Sequence, residues 1–141
     1  MARMLAIDLG EKRIGFAISD PMGIIAQPLC TVEWKGIDHL IKVLQDYIHE
    51  YIIEDIIIGI PYTLKGNLSD KTKDILNIKT KLEQRLQKKI IGVDERLTTQ
   101  MANRSLRTMG RAPSRSKDKV DQLAAVFILQ SYIDHCRIKR L

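Results

Sequence analysis

The sequence predicts an α/β fold: a mixed β-sheet with helices on both faces, forming one domain over residues 1–141. Two short strands at the start of the chain, joined by a polar turn, read as a β-hairpin. Further on, Ile56-Ile57-Ile58 is apolar on both faces, as in a central parallel strand covered from each side. Between and after these lie stretches with apolar residues three and four apart, the spacing of amphipathic helices. A three-stranded meander followed by alternating helices and strands therefore gives a mixed sheet.

In the hairpin, Met4 to Ile7 is a short apolar run ending on Asp8, and Leu9-Gly10 leads into a charged turn. From Arg13 to Ser19, Ile14, Phe16 and Ile18 alternate with Gly15, Ala17 and Ser19, the period of a strand. A third strand is expected within Ile24 to Trp34, after a turn at Pro21 and Gly23, and Pro28 either argues against a strand there or places it at a sheet edge. The first helix is expected over Ile37 to Tyr51, with the stripe Ile37, Leu40, Ile41, Leu44, Tyr47, Ile48 and Tyr51. The central strand at Glu54 to Pro61 opens into a loop, Gly59 to Asn67, at its C-terminal end. That is where open α/β sheets carry function.

A second helix is expected over Leu68 to Lys88, with Ile75, Ile78, Leu82 and Leu86 along one face. Lys89 to Val93 then forms the last strand. Thr98 is a suitable N-cap for a helix carrying Met101, Ala102, Leu106 and Met109, and Gly110 stops it. The final helix is expected from near Ser116 to about Ile133. The chain has no internal repeat and no low-complexity tract.

Composition narrows the function classes. With 45% hydrophobic and 28% charged residues, the 141-residue chain is ordinary for a soluble globular protein. Cys30 and Cys136 lie too far apart in sequence for a zinc motif or a disulfide framework. His39, His49 and His135 have no ligand spacing with them. No signal segment or membrane-spanning run is present, so a cytoplasmic protein is expected.

The net charge of +6 is unevenly placed. Arg96, Arg104, Arg107, Arg111, Arg115, Lys117 and Lys119 face only one acid, Asp118, within their segment. That segment alone accounts for the whole net charge. A solvated helix surface is the bland account of such a run. Its position between two candidate metal ligands favours contact with a phosphate backbone. None of the aromatic residues lies in it, so base stacking is not expected there.

Three carboxylates stand out by position. Asp8 ends the first strand, Glu95 follows Asp94 at the end of the last, and Asp121 shares a helix face with Ala124, Ala125 and Ile128. Asp8 by itself has two readings, a turn-capping acceptor or a functional group. Three converging carboxylates would repel one another unless they shared protons or held a cation, and oxygen donors suit hard ions such as Mg²⁺ or Mn²⁺. Asp118, near the start of the final helix, is explained by the helix dipole, which leaves Asp121 as the ligand.

The motifs AIDLGEKRIGFAISD at residues 6–20, IIGIP at 57–61, VDERLTT at 93–99 and KVDQLAAVFILQSY at 119–132 occur in that order over nearly the whole chain. Together they resemble the YqgF/RuvX family, Holliday-junction-resolvase-like nucleases of the RNase H-like superfamily. The resemblance implies an RNase H-like, five-stranded mixed sheet, its first three strands antiparallel and the rest parallel, flanked by helices. It also implies a divalent-metal nuclease site on Asp8, Glu95 and Asp121. Its expected substrates are the 5′ end of pre-16S ribosomal RNA or branched DNA. Ile60 and Tyr62, flanking Pro61, depart from the leucine-like residues expected there.

The sequence thus reads as an endonuclease in which the three acids hold one or two Mg²⁺ or Mn²⁺ ions. Lys12, Arg13 and the arm from Arg96 to Lys119 would grip the nucleic acid. The expected protein is a monomer or a homodimer. Two other readings stand beside it. The hairpin also resembles the phosphate-binding hairpin of sugar kinases, actin and heat-shock chaperones, but those enclose ATP between two such domains. The chain would alternatively serve as a non-catalytic RNA-binding module in ribosome assembly.

Overall fold

The computed structural model describes residues 3–63, 65–94 and 117–140, with the side chains of 117–121 and 138–140 left aside. The elements are β1 (Arg3–Leu9), β2 (Arg13–Ser19), β3 (Ala26–Glu33), α1 (Ile37–Tyr51), β4 (Ile53–Ile60), α2 (Asp70–Leu86), β5 (Ile90–Asp94) and α3 (Lys117–Arg140). The strands form one five-stranded sheet in the order β3-β2-β1-β4-β5. β1 pairs antiparallel with β2, which pairs antiparallel with β3, whereas β4 runs parallel to both β1 and β5. The mixed sheet expected from the sequence is the one found.

Strand alternation divides the core in two. Leu5, Ile7 and Leu9 of β1, with Ile14, Phe16 and Ile18 of β2 and Ile56, Ile58 and Ile60 of β4, face α1 and α2. Ala6, Ala17 and Ile57 point the other way, against Ala125, Ile128, Leu129 and Ile133 of α3. The isoleucine run of β4 is buried throughout because both faces are covered. Pro28 lies on β3, an edge strand. The register shifts there, so that Phe16 pairs with Cys30 and Ala17 with Pro28.

The third strand falls within the stretch expected for it, and two helix boundaries differ from the sequence expectation. The second helix starts at Asp70, not Leu68, because the Ser69 hydroxyl caps it by accepting from the Thr72 amide at 3.1 Å. The last helix runs past Ile133 to Arg140, since no glycine or proline interrupts residues 134–140. β3 begins at Ala26 because residues 20–25 are tied into a turn. Here the Asp20 carboxylate accepts from the amides of Ile24 at 2.7 Å and Ile25 at 2.8 Å. The helix expected from Thr98 to Gly110 lies outside the described residues.

The amides of Ile25, then Ile24, hold the Asp20 carboxyl below its ordinary value of 3.8. A hydrogen bond from Lys79, and then the Ile90 amide, does the same for Glu83 relative to 4.5. Both groups bind protons more weakly folded than unfolded, so their contribution is complete above the ordinary values and is lost as pH falls through the folded ones. Thermal melts between pH 7 and pH 2 should show stability declining below about pH 4.5. An Asp20→Ala, Glu83→Ala double variant should show a shallower decline.

Candidate functional site

Asp8 is the penultimate residue of β1, half-buried, at the C-terminal end of the strand. Alternation places it on the face of Ala6, the face covered by α3. Its cross-strand partner is Gly15 of β2. On the other side, the parallel register that joins Ile7 to Ile58 brings Gly59 alongside. Asp8 thus sits between two strand positions that carry no side chain. Glycine weakens a strand, and in its interior often marks a close approach of ligand or backbone. The sequence reading named Gly59 only as the start of the loop after the central strand and gave Gly15 no part in the site, since the pairing that sets them beside Asp8 is a matter of register.

Beyond Gly59, its pairing partner Val93 continues the row on the α3 face, one residue before Asp94 ends β5. Glu95 comes next and lies outside the described residues. On α3, Ala124 and Ala125 are buried against the sheet. The backbone of Asp121 lies one helical turn before Ala125, on the same stripe of the helix, and its side chain is outside the described set.

Small residues on both sides let this helix come close to the sheet. Ala125, fully buried, packs in the cluster of Ala6, Ala17 and Ile57. Ala125→Leu should therefore lower stability by about 1–3 kcal/mol through overpacking. The urea midpoint checks this, at unchanged slope. Two side-chain amides fasten the helix to the meander. Gln122 Nε2 donates to Thr31 Oγ1 at 3.1 Å. Gln130 accepts from the Ala26 amide at 2.9 Å and donates to the Ile24 carbonyl at 3.1 Å.

The hairpin tip is held tightly. The Gly10 amide donates to the Arg13 carbonyl at 2.9 Å, and a Cβ on Gly10 would stand 2.7 Å from that oxygen. Lys12 is exposed at the tip and Arg13 opens β2 half-buried, so both expected nucleic-acid contacts lie near the same sheet end as Asp8. Lys117 and Lys119 belong to the first turn of α3, their side chains outside the described set. Arg96, Arg104, Arg107, Arg111 and Arg115 all fall outside the described residues.

Among the described residues no three His, Cys, Asp or Glu side chains form a metal cluster, and of the three expected ligands only Asp8 has a described side chain. The donor chemistry at Asp8 fits a hard divalent cation: a carboxylate at a strand end, flanked by glycines that leave room for a second ligand. Cys30 is a poor nucleophile, because burial raises its thiol above the ordinary value while it lies 2.7 Å from the Tyr47 hydroxyl. No helix among the described residues is long and apolar enough to cross a membrane.

Known proteins resemble this chain in sequence or in fold. Curated relatives named "Putative pre-16S rRNA nuclease" include one from Acetivibrio thermocellus, 40% identical over 134 residues, covering 94% of this chain and 95% of its own length. Another, from Ruminiclostridium cellulolyticum, is 41% identical over 133 residues, covering 94% of each. Among solved structures, RuvC of Thermus thermophilus in complex with a Holliday junction substrate superposes with a TM-score of 0.59. It is 13% identical, with 98% of this chain and 96% of that one covered. The fowlpox virus resolvase bound to Holliday junction DNA gives a TM-score of 0.55 at 12% identity, with 95% and 98% covered. At such identities the likeness is one of fold, the RNase H-like fold of the resolvases. The family model described as "RuvX: Holliday junction resolvase" matches residues 2–135, and the chain belongs to that family.

Proposed function

We propose that this protein is a divalent-metal-dependent endonuclease that processes the 5′ end of pre-16S ribosomal RNA in the cytoplasm. The observation that carries the proposal is the setting of Asp8. It is a half-buried carboxylate at the C-terminal end of β1, on the face closed by α3, with glycines on both flanking strands. Curated relatives of the same length bear the pre-16S rRNA nuclease name, which supports the choice of substrate.

In this reading Asp8, Glu95 and Asp121 hold Mg²⁺ or Mn²⁺. The bound ion supplies a nucleophile at neutral pH and neutralises charge on the phosphate. The chain's own part is to set Asp8 at the end of β1 and Asp121 on α3, with Glu95 next in sequence after β5. Lys12 and Arg13 on the hairpin, with Lys117, Lys119 and the arginines from Arg96 to Arg115, bind the phosphate backbone. Such contacts position substrate without reading its sequence. Branched DNA is the second reading, favoured by the family description and by the resolvase-like fold.

Cleavage of end-labelled RNA carrying the 16S precursor 5′ end, beside a four-way DNA junction, separates the two. With Mg²⁺ or Mn²⁺ the RNA should be cut at a defined position, and EDTA should stop the reaction. Cutting of the junction alone would transfer the assignment to DNA. Intact substrates of both kinds would remove the nuclease reading.

A further inference from the structure

The end of β1 has a second side. Asp8 and Leu9 are consecutive, so their side chains leave opposite faces of the sheet. On the Leu9 side lies a groove of about 380 Å³, between the hairpin tip and α2. That is the size range of small-ligand clefts. Leu9 and Ile75, both buried residues, line it together with Trp34, the one tryptophan of the chain. Trp34 packs half-buried against the core, and its amide donates to the Lys12 carbonyl at 2.8 Å. That bond ties the Trp34 backbone to the hairpin, and the indole lines the groove beside it. The polar lining consists of Glu11, Asp74, Asn77 and Lys71.

This lining selects against phosphate, because two carboxylates outweigh one ammonium group. An aromatic ring over an apolar floor suits a planar base, and unpaired bases are bound by stacking together with hydrogen bonds to their exposed edges. Carboxylates only accept hydrogen bonds, so the edge they recognise must donate. Guanine presents two adjacent donors on its Watson–Crick edge, N1–H and the N2 amino group, spaced to meet both oxygens of one carboxylate. Uracil presents one donor between two carbonyls, which carboxylates repel. Adenine and cytosine each offer a single amino group beside an acceptor.

We propose that this groove takes one unpaired guanine of the nucleic acid, stacked on Trp34 with Asp74 or Glu11 on its Watson–Crick edge. The inference rests on the reading of the chain as a nucleic-acid enzyme. The strand would cross the end of β1, with the scissile phosphate on the Asp8 side and the guanine on the Leu9 side.

The test needs neither metal nor cleavage. Fluorescein-labelled single-stranded uridine oligonucleotides with one central G, A, C or U are titrated in EDTA. Anisotropy gives Kd, and emission of the single tryptophan reports on the groove. The guanine oligonucleotide should bind roughly 10-fold tighter than the others and quench Trp34. Glu11 and Asp74 are exposed, so substituting them should not unfold the chain. Glu11→Gln and Asp74→Asn together should erase the preference while uridine binding stays at least as tight. Equal Kd for all four bases, a preference that survives both substitutions, or no binding at all would overturn the proposal. A guanine preference in a protein that cuts nothing with Mg²⁺ or Mn²⁺ would instead sink the nuclease reading and leave the groove standing.

Discussion

On the proposed assignment, Asp8→Asn should leave a folded protein whose metal-dependent cleavage falls on the order of 10³-fold or more. The amide keeps the shape of the carboxylate and removes the charge that a divalent ion needs. Because Asp8 lies between Gly15 and Gly59 and is not part of the buried core, circular dichroism should be unchanged. Wild type should gain melting temperature with Mn²⁺, since an ion at 100 times its Kd adds about 2.7 kcal/mol. The variant should gain less. Asp121→Asn should reproduce both effects, whereas Asp118→Asn should keep most activity. Equal Mn²⁺-induced shifts in wild type and Asp8→Asn would take Asp8 out of the metal site.

Phe16→Ala acts on stability and not on chemistry. The ring is fully buried on the α1 side of β2 and meets Tyr47 edge-on, with centroids 5.4 Å apart at 76°. Removing it should cost about 3–5 kcal/mol. A domain has only about 5–15 kcal/mol in total, so much of the population would unfold near 37 °C. Phe16 pairs with Ile7 across the strands, and both face away from Asp8. Activity per folded molecule at low temperature should therefore stay close to wild type. Phe16→Leu should lose far less stability, because the cavity is smaller. Urea melts read alongside specific activity separate the two effects. A loss of activity exceeding the loss of folded protein would mean that the α1-side core also shapes the site.

The sheet was legible because its signals were local. Alternation from Arg13 to Ser19, the doubly apolar Ile56-Ile57-Ile58 and the stripe of α1 each specify an element and its buried face. Pro28 fitted an edge position, since a proline has no N–H to donate and is tolerated where that side faces away from a ladder. The ends of α2 and α3 were less legible. Ser69 competes with Leu68 for the start of α2, and only the hydroxyl bonding to Thr72 decides it. Of the candidate site, the place of Asp8 at a strand end was legible. The glycines around it were not, because their meaning depends on register between β1, β2 and β4. The amide clamps of Gln122 and Gln130 join residues 91 to 106 positions apart, a relation no local pattern contains.

Those clamps also bear on synthesis. α3 is the last described element in sequence, and it covers Ala6, Ala17 and Ile57 of strands made long before it. A nascent chain elongates at about 5–20 residues per second, so this sheet face stays open to solvent for seconds after the hairpin has emerged. On the proposed ligand assignment, Asp8 meets its partner on α3 only when that helix docks. A growing polypeptide would thus carry an incomplete acid cluster past the RNA of its own translating ribosome. On that assignment, cutting would have to wait for the docking of α3.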